Sequence, residues 1–188
     1  MTLYQKVEQF VKDSFVKVSK QHSVAHLMRT AYWAKVLKPD IDEAVLIAAV
    51  AHDIERPFRS KEDQEKLNKI WLEYGFIKKE FLDEHQKQGA EIITEFLSKQ
   101  GVDRELINRV YNIVLRHEFG GDEDSDLVKD ADSISFFENN GERFAGKYTL
   151  EFGKQKVKEK LDWMYDRITD PMAKQIAEPF YKKYSRLL

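Results

Sequence analysis

His52 and Asp53 close the run Ala48-Ala49-Val50-Ala51-His52-Asp53-Ile54, which from Ala44 onward is otherwise apolar on every side. A helix that is apolar all round is a buried one. An unpaired imidazole or carboxylate in a dry interior is too costly to keep. Two kinds of partner meet that need: a salt bridge or helix cap for Asp53, or a metal ion that both residues face. A His-Asp dipeptide does not choose between them. Further ligands elsewhere in the chain would.

The elements that must position such ligands read as helices. Leu3, Val7, Phe10, Val11, Phe15 and Val18 have the spacing of an amphipathic helix. After a polar break at Ser19 to Ser23, a second helix carries Val24, Leu27, Met28, Ala31, Ala34 and Leu37, together with His26 and Arg29. The apolar helix follows from about residue 42 to 54, and Pro57 disfavours its continuation at Arg56, leaving a basic loop with Arg59. A polar helix ends at Gly75. A longer one, from about residue 78 to 99, carries His85 among Phe81, Ile92, Ile93, Phe96 and Leu97. Asp103 is a plausible N-cap for the next helix. Its stripe Leu106, Ile107, Val110, Ile113 and Val114 is extended inward by His117. Glu118 to Asp124 reads as a loop with two glycines for unusual backbone angles. Leu127, Val128, Ala131, Ile134, Ser135 and Phe137 define the inner face of another helix, with Asp132 near its edge. Asn139-Asn140-Gly141 ends it, and one or two closing helices follow, with Asp170-Pro171 as a start and Pro179 as a kink or interruption. No segment alternates with period two. The expectation is an all-α bundle of roughly seven to nine helices in one 188-residue domain, with a core at about 24–137 and a helical extension at about 141–188.

Composition narrows the chemistry. The chain is 42% hydrophobic and 34% charged, as in an ordinary globular protein. A net charge of −2 argues against a nucleic-acid polymer as partner. With no cysteine, disulfides, zinc fingers and thiol catalysis drop out, and any metal must use His, Asp and Glu. The N-terminus lacks the regions of a signal peptide, and no apolar run is long enough to span a bilayer, so the expectation is a cytoplasmic protein without membrane attachment.

Four of the five histidines, His26, His52, His85 and His117, fall on four successive apolar helical stripes, with Asp132 on the next helix. Metal sites in helical bundles are built from such inward-facing positions. His22 lies in a polar stretch and is expected at the surface or in support of a ligand. Asp130 competes with Asp132, and the pattern leaves that choice open. Glu55 reads either as a general acid beside the site or as a solvated loop carboxylate. Trp33, Trp71 and Trp163, with most of the phenylalanines, read as core or pocket wall.

The order His26, His52-Asp53, His85, His117, Asp132 resembles the HD-domain superfamily of metal-dependent phosphohydrolases, over roughly Val24 to Phe137. The resemblance implies an HD-domain-like helical bundle, decides for Asp132 over Asp130, and implies two divalent transition-metal ions. His26, His52 and Asp132 would hold the first ion and His85 and His117 the second, with Asp53 bridging. Such a ligand set suits manganese, iron, nickel or zinc better than calcium. His52 and Asp53 would be the catalytic centre. The implied reaction is hydrolysis of a phosphoester or phosphoanhydride in a small phosphorylated metabolite, with a nucleotide favoured. Its nucleophile is hydroxide, since metal coordination lowers the pKa of water from about 15.7 to about 7. Arg29, Arg56, Arg59, Arg116 and Lys129 lie close to the ligands in sequence and are candidates for binding the substrate phosphate; for Arg56 and Arg59, surface pairing is the alternative. The chain has Ile54-Glu55-Arg56-Pro57 where many dinuclear relatives place a small residue and a lysine. The competing readings are an HD-type diiron oxygenase and a non-catalytic nucleotide- or metal-binding module.

Overall fold

The structure is a computed structural model that describes residues 1–18 and 21–188, with the side chains of Gln21 and His22 outside the description. It is helical, with no strand among the described residues. Helices α1 (Leu3–Lys17), α2 (Gln21–Leu37), α3 (Glu43–Ala51), α4 (Lys61–Tyr74), α5 (Lys79–Lys99), α6 (Arg104–Arg116) and α7 (Glu123–Asn139) follow the sequence pattern closely. The polar break expected at residues 19–23 is cut into by α2. The rest of that stretch, and the role expected of His22, lie outside the described residues.

α3 is the axis of the molecule because, after Glu43 at its start, nothing on it prefers water. Ala44, Val45 and every residue from Ile47 to Ala51 are buried, and α1, α2, α6 and α7 all pack against it. The four alanines keep its girth small, so neighbours can come close on all sides. Asp42 starts the helix by accepting hydrogen bonds from the amides of Ala44 and Val45, which satisfies two of the donors a helix N-terminus leaves open. Asp103, Asp122 and Asp170 each accept from one amide at the start of α6, α7 and the last helix.

Two apolar cores flank α7. Val128 and Ala131 face the first, with Val7, Phe15, Leu27, Ile47 and Val114. Ile134, Phe136 and Phe137 face the second, with Leu161, Met164 and Ala177. Every residue of α7 from Val128 to Phe137 is therefore buried. This explains why its sequence does not distinguish an inner face from an outer one.

The chain after Asn140 is more divided than the one or two closing helices expected. Short helical pieces at Gly141–Arg143 (α8), a π turn at Phe144–Tyr148 and Thr149–Phe152 (α9) precede two longer helices, α10 (Lys154–Asp166) and α11 (Pro171–Ser185). Pro171 opens α11 as expected, but Pro179 does not interrupt it. The carbonyl that Pro179 leaves without an amide belongs to Gln175, which is exposed, so water can take that bond. Among the described residues no helix is long and apolar enough to cross a membrane.

Candidate metal centre and its cavity

α3 ends at His52, and the turn that follows carries Asp53, Ile54 and Glu55 inward instead of into solvent; all four are buried. α2 delivers His26, α5 delivers His85, the C-terminal cap of α6 is His117, and α7 delivers Asp132. The six ligand candidates converge. His26, His52 and Asp53 offer ligand atoms within 4.8 Å of one another, and so do Asp53, His85 and His117, so Asp53 belongs to both groups. Asp132 Oδ1 lies 3.0 Å from His26 Nε2 and 3.4 Å from His52 Nε2.

The hydrogen bonds behind the imidazoles assign their tautomers. His52 Nδ1 lies 2.9 Å from the Ala49 carbonyl and His117 Nδ1 lies 2.7 Å from the Val114 carbonyl. A carbonyl only accepts, so both Nδ1 atoms carry the proton. His85 Nδ1 donates to the Glu55 carboxylate. His26 Nδ1 lies 2.9 Å from Ser135 Oγ, whose own hydroxyl donates to the His26 carbonyl at 2.7 Å, so the serine accepts from the ring. In the neutral form of each ring, Nε2 is thus the inward-facing lone pair. Those of His52, His85 and His117 are buried without a hydrogen-bond partner. His26 Nε2 faces Asp132 Oδ1, and His85 Nε2 faces Asp53 Oδ1, both at 3.0 Å. Acceptor facing acceptor at this distance is repulsive unless a cation lies between them, either an added proton or a metal ion. Nδ1 anchored by an acceptor with Nε2 free is the arrangement in which imidazole serves as a metal ligand.

Electrostatics support the same picture. Burial opposes the charge of Asp53, yet Arg56, His52 and His85 hold its carboxyl well below the usual carboxylate range. Arg56 Nη2 lies 2.7 Å from Asp53 Oδ2, an ion pair without hydrogen-bond alignment. Asp132 is likewise held well below its ordinary value against burial, by Arg167 and His52. His85 resists burial because Glu55 and Asp53 raise it to about 9, whereas burial drives His117 down to about 4. In the absence of metal, protons can occupy part of the cluster but not all of it.

A cavity of about 380 Å³ opens from this cluster, within the size range of small-molecule sites. Arg56 and Arg59 are on its wall. Arg29, Arg116 and Lys129 are not. Arg29 makes two 2.8 Å bonds to Glu138 and lies over the Tyr32 ring. Arg116 sits about 100° round its helix from His117 and points outward to Asp122, 3.0 Å away. Lys129 is buried against Asp126 and Thr169. Asp130 is also turned away from the cluster: it accepts from the Thr169 and Asp170 amides at the start of α11.

Several site residues were not legible in advance. Glu55, read either as a general acid beside the site or as a solvated loop carboxylate, is 1% exposed and braces His85 while pairing with Arg59. Arg167, at the end of α10, bonds both Asp132 and Glu118. Lys160, half-buried on α10, lines the cavity with no ion pair to a carboxylate among the described residues. Burial lowers it to about 8, against the charge of Glu118. Glu118 follows His117 directly, which was a signal of proximity. Lys160 and Arg167 lie in a segment whose periodicity marks only packing, and no local signal distinguishes them.

A family model described as a domain of unknown function (DUF4202) matches residues 8–183, so the chain belongs to that family. No curated protein and no solved structure matches it.

Proposed function

We propose that this member of the DUF4202 family is a metal-dependent phosphohydrolase of HD-domain type, acting on a small phosphorylated metabolite, with a nucleotide favoured. The observation that carries the reading is the set of four inward Nε2 lone pairs, each backed by a hydrogen bond at Nδ1, around two carboxylates that face them as acceptors. The donor set of imidazole and carboxylate fits two divalent transition-metal ions such as manganese, iron, nickel or zinc. His26, His52 and Asp132 would hold one and His85 and His117 the other, with Asp53 shared. Ions bound there would supply Lewis acidity and a water acidic enough to attack near neutral pH.

The chain's own residues would do the rest. Ser135 and Glu55 orient His26 and His85, and Arg167 orients Asp132. Arg56, Arg59 and Lys160 make the cavity wall beside the cluster cationic, which favours a substrate phosphate over the uncharged polyol that a diiron oxygenase reading would require. Lys160 is the least committed of these cations and is the best seat for a phosphoryl oxygen.

Metal analysis of protein purified without oxygen, followed on the same sample by phosphate release from a panel of phosphorylated metabolites, tests the reading. Two ions per chain and one good substrate are expected, with turnover abolished by His52→Ala and Asp53→Ala. A metal-free double variant that still turns over would sink it.

A further inference from the structure

Lys160 holds its ammonium 4.3 Å from the centre of the Trp163 ring and 5.7 Å from that of Phe136. Ring faces attract a cation but give its N–H groups no hydrogen-bond acceptor. No acceptor among the described residues takes a bond from them, and the side chain lines the cavity shared with His26, Asp53, His85 and Asp132. A half-buried ammonium with three donors on offer therefore faces the space that a ligand would fill.

Its surroundings also loosen its hold on a proton. Burial lowers the ammonium to about 8; Glu118 and Asp132 favour its charge, while Arg167 and Arg56 oppose it. The other groups on the wall are poorer donors of a proton. The arginines do not part with theirs, and the histidines belong to the cluster. Against burial, Arg167 holds Glu118 at about 2, so that carboxylate is ionised. Tyr148 is packed among Phe76, Phe144 and Phe152, and Lys147 and Glu151 are exposed. Glu55, the acid that the sequence suggested, lines the groove between α4 and α5 and not this cavity.

We infer that Lys160 is the general acid of the site, giving its proton to the oxygen that leaves phosphorus, and that the substrate is the phosphate ester of an alcohol. In this step a hydroxide oxygen bonds to phosphorus and the ester P–O bond breaks. Its electron pair stays on the ester oxygen, which takes the proton from Lys160 Nζ and departs as the neutral alcohol. The amine regains a proton from water as phosphate leaves. An alkoxide is roughly as basic as hydroxide, whose conjugate acid has a pKa of about 15.7, so an alcohol ester gains most from such a donor. A phosphoanhydride expels a phosphate, a weak base that needs little help. The inference rests on the hydrolase reading.

Phosphate release from an alkyl phosphomonoester and from p-nitrophenyl phosphate, whose leaving phenolate is a weak base, tests it. Wild type, Lys160→Arg and Lys160→Gln are compared, each checked for retained helicity and loaded in turn with manganese, iron, nickel and zinc. Lys160→Arg keeps the charge and loses the labile proton. It should lower kcat for the alkyl ester about 100-fold, the low end for a positioned acid, with KM close to wild type, and slow the activated ester far less. Lys160→Gln should also raise KM for both esters. In wild type, kcat for the alkyl ester should fall as pH rises through the titration of the ammonium. That fall should be shallow for p-nitrophenyl phosphate and absent in Lys160→Arg. Equal slowing of the two esters by Lys160→Arg would overturn the assignment, and so would an alkaline fall equally deep for both in wild type, which needs no variant. The two readings fail separately. Ester turnover indifferent to the leaving group, or turnover confined to anhydrides, removes Lys160 as the acid and leaves the hydrolase. No turnover of any ester or anhydride under any of the metals removes both.

Discussion

Arg167 and Asp132 form a buried ion pair in which the guanidinium takes Oδ2 of the carboxylate and leaves Oδ1 for His26 and His52. Both partners are almost wholly shielded from water, and Arg167 also holds Glu118. Removing one member of such a pair strands the other charge in the interior. Arg167→Gln is expected to destabilise the metal-free protein by about 3–5 kcal/mol in urea unfolding. A loss below about 1 kcal/mol, the range of a surface pair, would show that Asp132 does not depend on it.

Ser135 touches the cluster through His26, accepting from its Nδ1 and donating to its backbone carbonyl. Ser135→Ala should leave the fold intact and weaken the metal site about ten- to hundredfold, the usual effect of losing the group that orients a ligand imidazole. Competition with a chromophoric chelator measures this directly, and an unchanged affinity would contradict the tautomer assigned to His26.

The opposite shifts of His117 and His85 make the metal-free protein sensitive to pH in both directions. His117 falls from 6.5 to about 4 on folding, so its contribution is present above pH 6.5 and is lost as pH falls towards 4. His85 rises from 6.5 to about 9, so its contribution is present below pH 6.5 and is lost as pH rises through 9. Urea midpoints should therefore peak near neutrality and decline on both sides. A metal ion must displace the His85 proton, so binding should release protons below pH 9 and tighten as pH rises. Calorimetry in two buffers of different ionisation enthalpy reads that release; a buffer-independent heat at pH 7 would refute it.

Gly89 lets α5 approach α3. A Cβ there would stand 3.0 Å from the His52 carbonyl oxygen and 3.5 Å from Val114. Gly89→Ala gains about 1 kcal/mol of helix propensity but forces apart the helices that carry His85 and His52, at a cost of about 1–3 kcal/mol. The expected net is a small loss of stability with a larger loss of metal affinity. Stabilisation with full affinity would mean that the backbone yields freely at this contact.

Lys160→Gln removes the half-buried ammonium on the cavity wall and leaves a side chain of similar reach. Inhibition by inorganic phosphate, or retention of a phosphorylated substrate, should weaken about ten-fold, as expected for a charge-assisted hydrogen bond. The same change at Arg116, which faces Asp122 on another surface, should leave phosphate affinity as it is.

The helices α1 to α7 could be read from the sequence because each shows an apolar stripe at helical spacing and most start at a capping side chain, both of which are local properties. Four inward histidines and the His52-Asp53 pair were visible for the same reason: a polar residue on an apolar stripe stands out against its neighbours. That logic failed on α7, which is buried all round between two cores, so no pattern could separate Asp132 at the cluster from Asp130, which holds the Thr169 and Asp170 amides just before α11. It also misjudged which cations meet the cavity. Closeness in sequence to a ligand placed Arg29, Arg116 and Lys129 among the candidates, yet a one-residue step turns Arg116 by about 100° away from His117, and Arg29 and Lys129 are drawn to the nearer carboxylates of Glu138 and Asp126. Lys160 and Arg167 arrive instead from α10, more than 25 residues after the last ligand. Long-range packing alone brings them there, because the second core seats α10 against the far side of α7.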